Sequence, residues 1–117
     1  MDFFGFMSYD LHGFWDADVK TLGSVIRPQT DLNDIDKDLL PLWFAGVDPA
    51  KVNLGLAYYG RGYTVSDPSC PYIGCKFSGP SKGGSCTNFG GVLSLRGTSH
   101  QISCTESTLI GRKKSKL

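Results

Sequence analysis

Apolar and polar positions divide the chain into stretches of different period. Residues 3 to 9, Phe-Phe-Gly-Phe-Met-Ser-Tyr, form an apolar, aromatic run closed by Asp10 and the turn-prone His12-Gly13 pair. Such a run predicts a strand buried on both faces. From Asp31 to Phe44 the period changes, with Leu32, Ile35, Leu39, Leu42 and Trp43 recurring at steps of three and four. That spacing predicts an amphipathic helix, with Thr30 or Asp31 as its cap and Gly46 as its stop. Val47 to Ala50 reads as a turn, and Lys51 to Tyr59 as a second strand-like run. Strand, helix, strand with continuously apolar strands is the order of a parallel βαβ unit, whose connection should be right-handed.

Beyond Arg61 the character shifts: residues 66 to 91 hold six Gly and three Pro, as expected of a loop or small subdomain. Val92 to Leu95 predicts one more strand, and the remaining polar residues have no usable period. Length then sets a limit, since 117 residues at 40% hydrophobic content allow one small core. The net charge of +1 conceals an asymmetry, because Arg112, Lys113, Lys114 and Lys116 lie at one end. Residues 1 to 96 carry eight basic and ten acidic groups, a net charge of −2. A mildly acidic body lacks the basic stripe that nucleic-acid binding needs. Met1 is followed by Asp2 rather than a charged leader and apolar stretch, so no signal peptide is expected, and no apolar run reaches the ~18 residues of a membrane span.

The cysteines point toward export. Cys70, Cys75 and Cys86 crowd into the Gly-, Pro- and Ser-rich segment, the kind of loop that oxidising compartments staple with disulfides. Zinc is the competing reading, but the set is one ligand short, and neither His12 nor His100 stands close by in sequence. The four cysteines allow three full pairings, and the sequence does not choose among them. Cysteines of export type without an export signal imply an absent N-terminal part. His12 also lacks a sequence neighbourhood of Ser, Cys or acid that would make a nucleophile or metal site. The glycines from 79 to 91 lack the Lys-Ser or Lys-Thr ending of a phosphate loop.

Asp31, Asp34, Asp36 and Asp38 spell D-x-x-D-x-D-x-D, one residue short of the D-x-x-D-x-D-x-E signature of family 18 chitinases. That signature needs a strand, so that alternate carboxylates share one cleft. Here Leu32, Ile35 and Leu39 impose helical spacing on the same residues, so the acids are expected around a helix, near its positive end.

Two other blocks carry a resemblance. Phe6-Met7-Ser8-Tyr9-Asp10-Leu11-His12-Gly13, followed by Trp15, resembles the Met-x-Tyr-Asp block on the sixth strand of the glycoside hydrolase family 18 barrel. Lys51 to Arg61, ending Tyr59-Gly60-Arg61, is similar to its seventh strand. Ser66 to Cys70, Gly74-Cys75 and Gly84 to Thr87 resemble the entry to the insertion that follows that strand in secreted fungal members. The resemblance covers residues 2 to about 96 and implies an α/β fold: a fragment of a (β/α)8 TIM barrel with the beginning of a cysteine-containing α+β insertion. The divisions expected are 1–65 for partial barrel, 66–96 for the start of the insertion and 97–117 for a polar, basic, disordered tail. That tail departs from the family pattern at Gly97-Thr98-Ser99-His100, as a retained intron or shifted frame would make it.

The resemblance implies hydrolysis of β-1,4 links in chitin by a substrate-assisted, retaining route, an exception to the usual two-carboxylate scheme. Tyr9 would donate to the acetamido oxygen of the sugar, and Asp10 would hydrogen-bond its hydroxyls. Met7, Trp15, Tyr59 and Arg61 would line the same cleft, with no cofactor and no metal. Each has a plainer reading: Met7 and Tyr9 as core, Asp10 as a turn former, Arg61 as a surface cation, Trp15 as packing. Location favours the site reading, because barrel active sites lie at the C-terminal ends of strands. The general-acid Glu strand is missing, so this chain by itself is expected to be inactive and, by resemblance, extracellular. The expected partner is chitin or a chitooligosaccharide, with no nucleic acid or membrane. The alternative is a non-catalytic, chitin-binding chitinase-like protein, or a small disulfide-stapled module.

Overall fold

In a computed structural model the described residues are 1–94. The expected tail from residue 97 lies outside them. They form a small mixed α/β piece of three two-stranded sheets and one α-helix, with no closed barrel.

The strand, helix, strand order of the first half is present. β1 (Phe4–Phe6) runs parallel to β2 (Val52–Leu54), pairing Phe4 with Val52 and Phe6 with Leu54. Between them lie a short 3₁₀ turn (Phe14–Asp18), α1 (Leu32–Phe44) and a second 3₁₀ turn (Pro49–Lys51). Both strands are shorter than their apolar runs, and β1 is not buried on both faces: Phe3 and Met7 are 67% and 70% exposed. A parallel strand is buried on both sides only where further layers cover it. Among the described residues β1 has a single ladder partner.

α1 begins where capping chemistry puts it. Asp31 is extended, and its carboxylate accepts from the Asn33 amide at 2.8 Å. Ile35 and Leu39, one turn apart, are buried; Leu42 and Trp43 are half-buried, and Leu32 is exposed. Gly46 takes φ +78°, the left-handed stop expected after the last turn. Asp34, Asp36 and Asp38 therefore lie on a helix.

The second half is antiparallel. β3 (Gly60–Arg61) pairs with β6 (Val92–Leu93), and β4 (Tyr63–Val65) with β5 (Phe77–Pro80) through a bulge at Thr64 and Val65. Phe77, 3% exposed, stacks against Tyr63 with ring centroids 4.9 Å apart. A disulfide joins Cys70 to Cys75 ahead of β5, and Cys86 is disulfide-bonded too. Residues 22–30 form a strap against this half, held by Ile26 N–H to the Cys75 carbonyl (2.8 Å), Gly74 N–H to the Ile26 carbonyl (2.9 Å) and Phe77 N–H to the Ser24 carbonyl (3.0 Å). No helix among the described residues is long and apolar enough to cross a membrane.

Candidate functional site

The ends of β1 and β2 are tied together before the site begins. The Gly55 amide donates to the Phe6 carbonyl at 2.8 Å, continuing the parallel ladder one residue further. Ser8, 2% exposed, donates its hydroxyl to the Gly55 carbonyl at 2.7 Å, and Thr30 donates to the Ser8 carbonyl at 2.8 Å. Two chains that leave parallel strands at the same level must project their next residues side by side.

Those next residues meet. The Tyr59 hydroxyl donates to Asp10 Oδ2 at 2.7 Å, and Arg61 Nε donates to Asp10 Oδ1 at 2.8 Å. The Arg61 guanidinium carbon stands 4.9 Å from the Trp15 ring centroid and 5.3 Å from that of Tyr59. Both distances are within cation–π range, worth about 0.5–1 kcal/mol at a site open to water. Trp15 reaches this place by lying flat on Gly13, where any Cβ would collide with the indole. β3, anchored by β6, presents Arg61, so the second half of the molecule supplies the cation and the first half the carboxylate.

The electrostatics follow from these contacts. The Arg61 hydrogen bond holds the Asp10 carboxyl below its ordinary value, with the Tyr59 hydroxyl adding to the effect and burial opposing it. Burial raises Tyr59, and the Asp10 carboxylate raises it further. Arg61 is raised by Asp10. At neutral pH the cluster is an ionised carboxylate, a neutral phenol and a cation lying over an aromatic face. Hydroxyl-bearing ligands suit such a surface, because it offers both donors and acceptors beside an apolar plane.

Asp10 itself sits at φ +58°. Few residues other than glycine tolerate this region, and Asp is one of them. Tyr9 turns from Asp10 toward β2, its ring 2.8 Å from where a Cβ on Gly55 would stand. Met7 is exposed and does not join the cluster.

Sequence reasoning found no acid partner for His12, and the structure corrects this. His12 Nδ1 lies 2.8 Å from Asp16 Oδ2, and Nε2 lies 3.2 Å from Asp34 Oδ2. Asp16 is 1% exposed and also receives Arg27 Nη1 at 3.5 Å. The four-residue spacing of His12 and Asp16 was a usable signal; Asp34, on α1, gave none. The network ties the 3₁₀ turn, the strap and α1 together, and no group of three His, Cys, Asp or Glu among the described residues is arranged to hold a metal ion.

No protein-family profile matches the chain. Curated relatives do: the protein named Probable chitinase LysM11 of Penicillium expansum is 34% identical over 105 residues, 80% of this chain and 9% of that protein. Secreted chitinase LysM12 of the same organism is 33% identical over 105 residues, 80% of this chain and 7% of its own length. The chain thus spans less than a tenth of these relatives. Among solved structures, that of YKL-39 in the presence of chitooligosaccharides matches with a TM-score of 0.63 and 24% identity, covering 83% of this chain and 28% of that one. The Group IV chitinase of Ostrinia furnacalis in complex with allosamidin matches with a TM-score of 0.56, also at 24% identity, over 82% and 28%. With chitinases recurring among the sequence relatives and the same kind of fold among the structures, the chain belongs to the chitinases of glycoside hydrolase family 18, as a chitinase-like segment.

Proposed function

We propose that this chain supplies part of the sugar-binding wall of a family 18 (β/α)8 barrel, with β1 and β2 as its sixth and seventh strands and residues 66–96 as the start of the insertion. Chitin or a chitooligosaccharide is the ligand, in an extracellular setting. One observation carries the reading: Asp10 from the end of β1 and Tyr59 and Arg61 from beyond β2 converge over Trp15. In the complete protein the reaction is substrate-assisted. The acetamido oxygen of the bound sugar attacks its own anomeric carbon while a Glu protonates the leaving oxygen. The wall acts by positioning and preorganised charge: Asp10 accepts from sugar hydroxyls, Tyr9 donates to the acetamido oxygen, and the Trp15 and Tyr59 rings support the apolar sugar face.

Glu106 is the sole Glu of the chain and lies outside the described residues. A missing proton donor costs on the order of 10²- to 10⁴-fold in rate, so this chain is proposed to bind without hydrolysing. Retention on chitin beads tests the reading. Wild-type chain should be retained, and Asp10→Asn, which keeps tolerance of the positive φ, should lower retention about tenfold or more, in line with the worth of hydrogen bonds to charged groups. Arg61→Ala should do the same. A chain with the Asp10–Tyr59 contact intact that passes through chitin unretained would overturn the proposal.

A further inference from the structure

Gln29 lies in the strap, 19 residues from Asp10 and 30 from Tyr59, in a stretch that no motif marks. Three of its polar groups nonetheless converge on the site. Its backbone carbonyl accepts from the Leu11 amide at 3.0 Å, its Oε1 accepts from the Asp10 amide at 3.4 Å, and its Nε2 donates to the Tyr59 carbonyl at 2.8 Å. The side-chain amide can be oriented only one way, since its oxygen faces an N–H and its nitrogen faces a carbonyl.

We propose that Gln29 is a positioning residue for the sugar-binding wall, a clamp that fixes the backbone of Asp10 against the backbone of Tyr59 so that carboxylate and phenol meet; its functional weight rests on the carbohydrate reading above. The need for a clamp is visible in the backbone. Asp10 holds a left-handed conformation, which is strained and persists only where surroundings enforce it. Gln29 takes up the N–H groups of both Asp10 and Leu11, the two that this bend would otherwise leave without carbonyl partners of a ladder. On the other side Tyr59 lies beyond the end of β2, outside any strand, and its carbonyl is held by the same side chain. Asp10 has no ladder of its own, the β3 ladder begins only after Tyr59, and one amide spans the two.

The strap places Gln29 from two directions. Thr30, next in the chain, donates to the Ser8 carbonyl. Arg27, two residues earlier, donates to the carbonyls of Leu22, Gly23 and Val25, and its own carbonyl accepts from the Tyr63 hydroxyl at 3.1 Å. Gln29→Met keeps length and bulk while removing both side-chain hydrogen bonds, so it separates bonding from packing.

The test uses the whole 117-residue chain with ¹³C-labelled tyrosine, following each phenol by NMR through its alkaline titration, together with binding of chitotetraose. In the wild type, Tyr59 should ionise above the ordinary tyrosine value of 10.0. Gln29→Met should bring Tyr59 back toward that value, leave Tyr63 where it was, and weaken chitotetraose binding by roughly three- to thirtyfold, the equivalent of one or two neutral hydrogen bonds. Unchanged titration of Tyr59 in the variant overturns the positioning role. Loss of the Tyr59 shift with no chitotetraose binding even by wild type upholds the clamp and removes the carbohydrate reading instead. Should Tyr63 move as well, the strap has come loose. Gln29→Asn, a neutral amide one carbon too short to span both backbones, then decides by the same criterion.

Discussion

Asp10 combines a strained backbone with a carboxylate that two donors hold ionised, and its behaviour with pH follows from that combination. Arg61 and Tyr59 depress its folded-state ionisation below the ordinary 3.8. Its contribution to stability is therefore present above that value and is lost as pH falls through it and below. Tyr59 moves the other way: its neutral form is favoured by burial and by Asp10, so its contribution is present below 10.0 and is lost as pH rises past that value. The Asp10–Tyr59 contact should stay constant from about pH 5 to 9 and fail at both ends. Tyr59 ¹³Cζ shifts across pH 2 to 12 would check this, and a transition near neutrality would contradict it. Asp10 is about one-third exposed, so solvent screening keeps the energies small. At this scale the sequence was informative only where residue type and location coincided. Tyr9-Asp10 and Tyr59-Gly60-Arg61 ended apolar runs and drew attention; Gln29 and Asp34 are ordinary loop and helix residues whose partners lie far off in the chain.

Among the elements, the strap packs on a segment that a covalent bond closes. Three backbone hydrogen bonds join it to the segment around Cys75, and the Cys70–Cys75 disulfide closes that segment into a short loop. For a loop of this size the chain-entropy argument gives about 2 kcal/mol. In a Cys70→Ser/Cys75→Ser variant, amide exchange at Ile26, Gly74 and Phe77 should quicken by about one order of magnitude or more, while the amides of the α1 interior keep their rates. Equal exchange in both forms would mean that the hydrogen bonds hold the strap without the crosslink. Period and capping made α1 legible nearly to the residue, because Asp31 and Gly46 are local signals. Strand lengths were not legible. The apolar runs of residues 3 to 9 and 51 to 59 mark what a strand could bury, whereas a ladder extends only as far as a partner accompanies it, here three residues.

For the whole molecule, the buried apolar side chains among the described residues are Ile35, Leu39, Cys75 and Phe77. Against them stand exposed Phe3, Phe4, Met7, Leu54, Leu56 and Tyr58 on and beside the parallel pair, with Phe44 at the end of α1. A two-stranded parallel sheet whose outer edges find no partner among the described residues, and whose faces are aromatic, is a template for further pairing. Expressed by itself, the chain should bind a hydrophobic dye and self-associate as its concentration rises, melting over a broad range once associated. A monodisperse monomer with a sharp transition would contradict this. The parallel order of β1 and β2 was readable from their unbroken apolar content, which suits strands covered on both sides. The sequence pattern described the burial those strands are built for, while the 94 described residues provide only part of it.

Gly55 has a consequence of its own. The Tyr9 ring occupies the space that a methyl group on residue 55 would need, so the direction in which that phenol points is set by a missing atom on the neighbouring strand. A single alanine there would press on the ring and also on the Phe6 carbonyl, 3.1 Å from the same point. Position 55 is therefore a lever by which the aim of Tyr9 can be altered from the neighbouring strand.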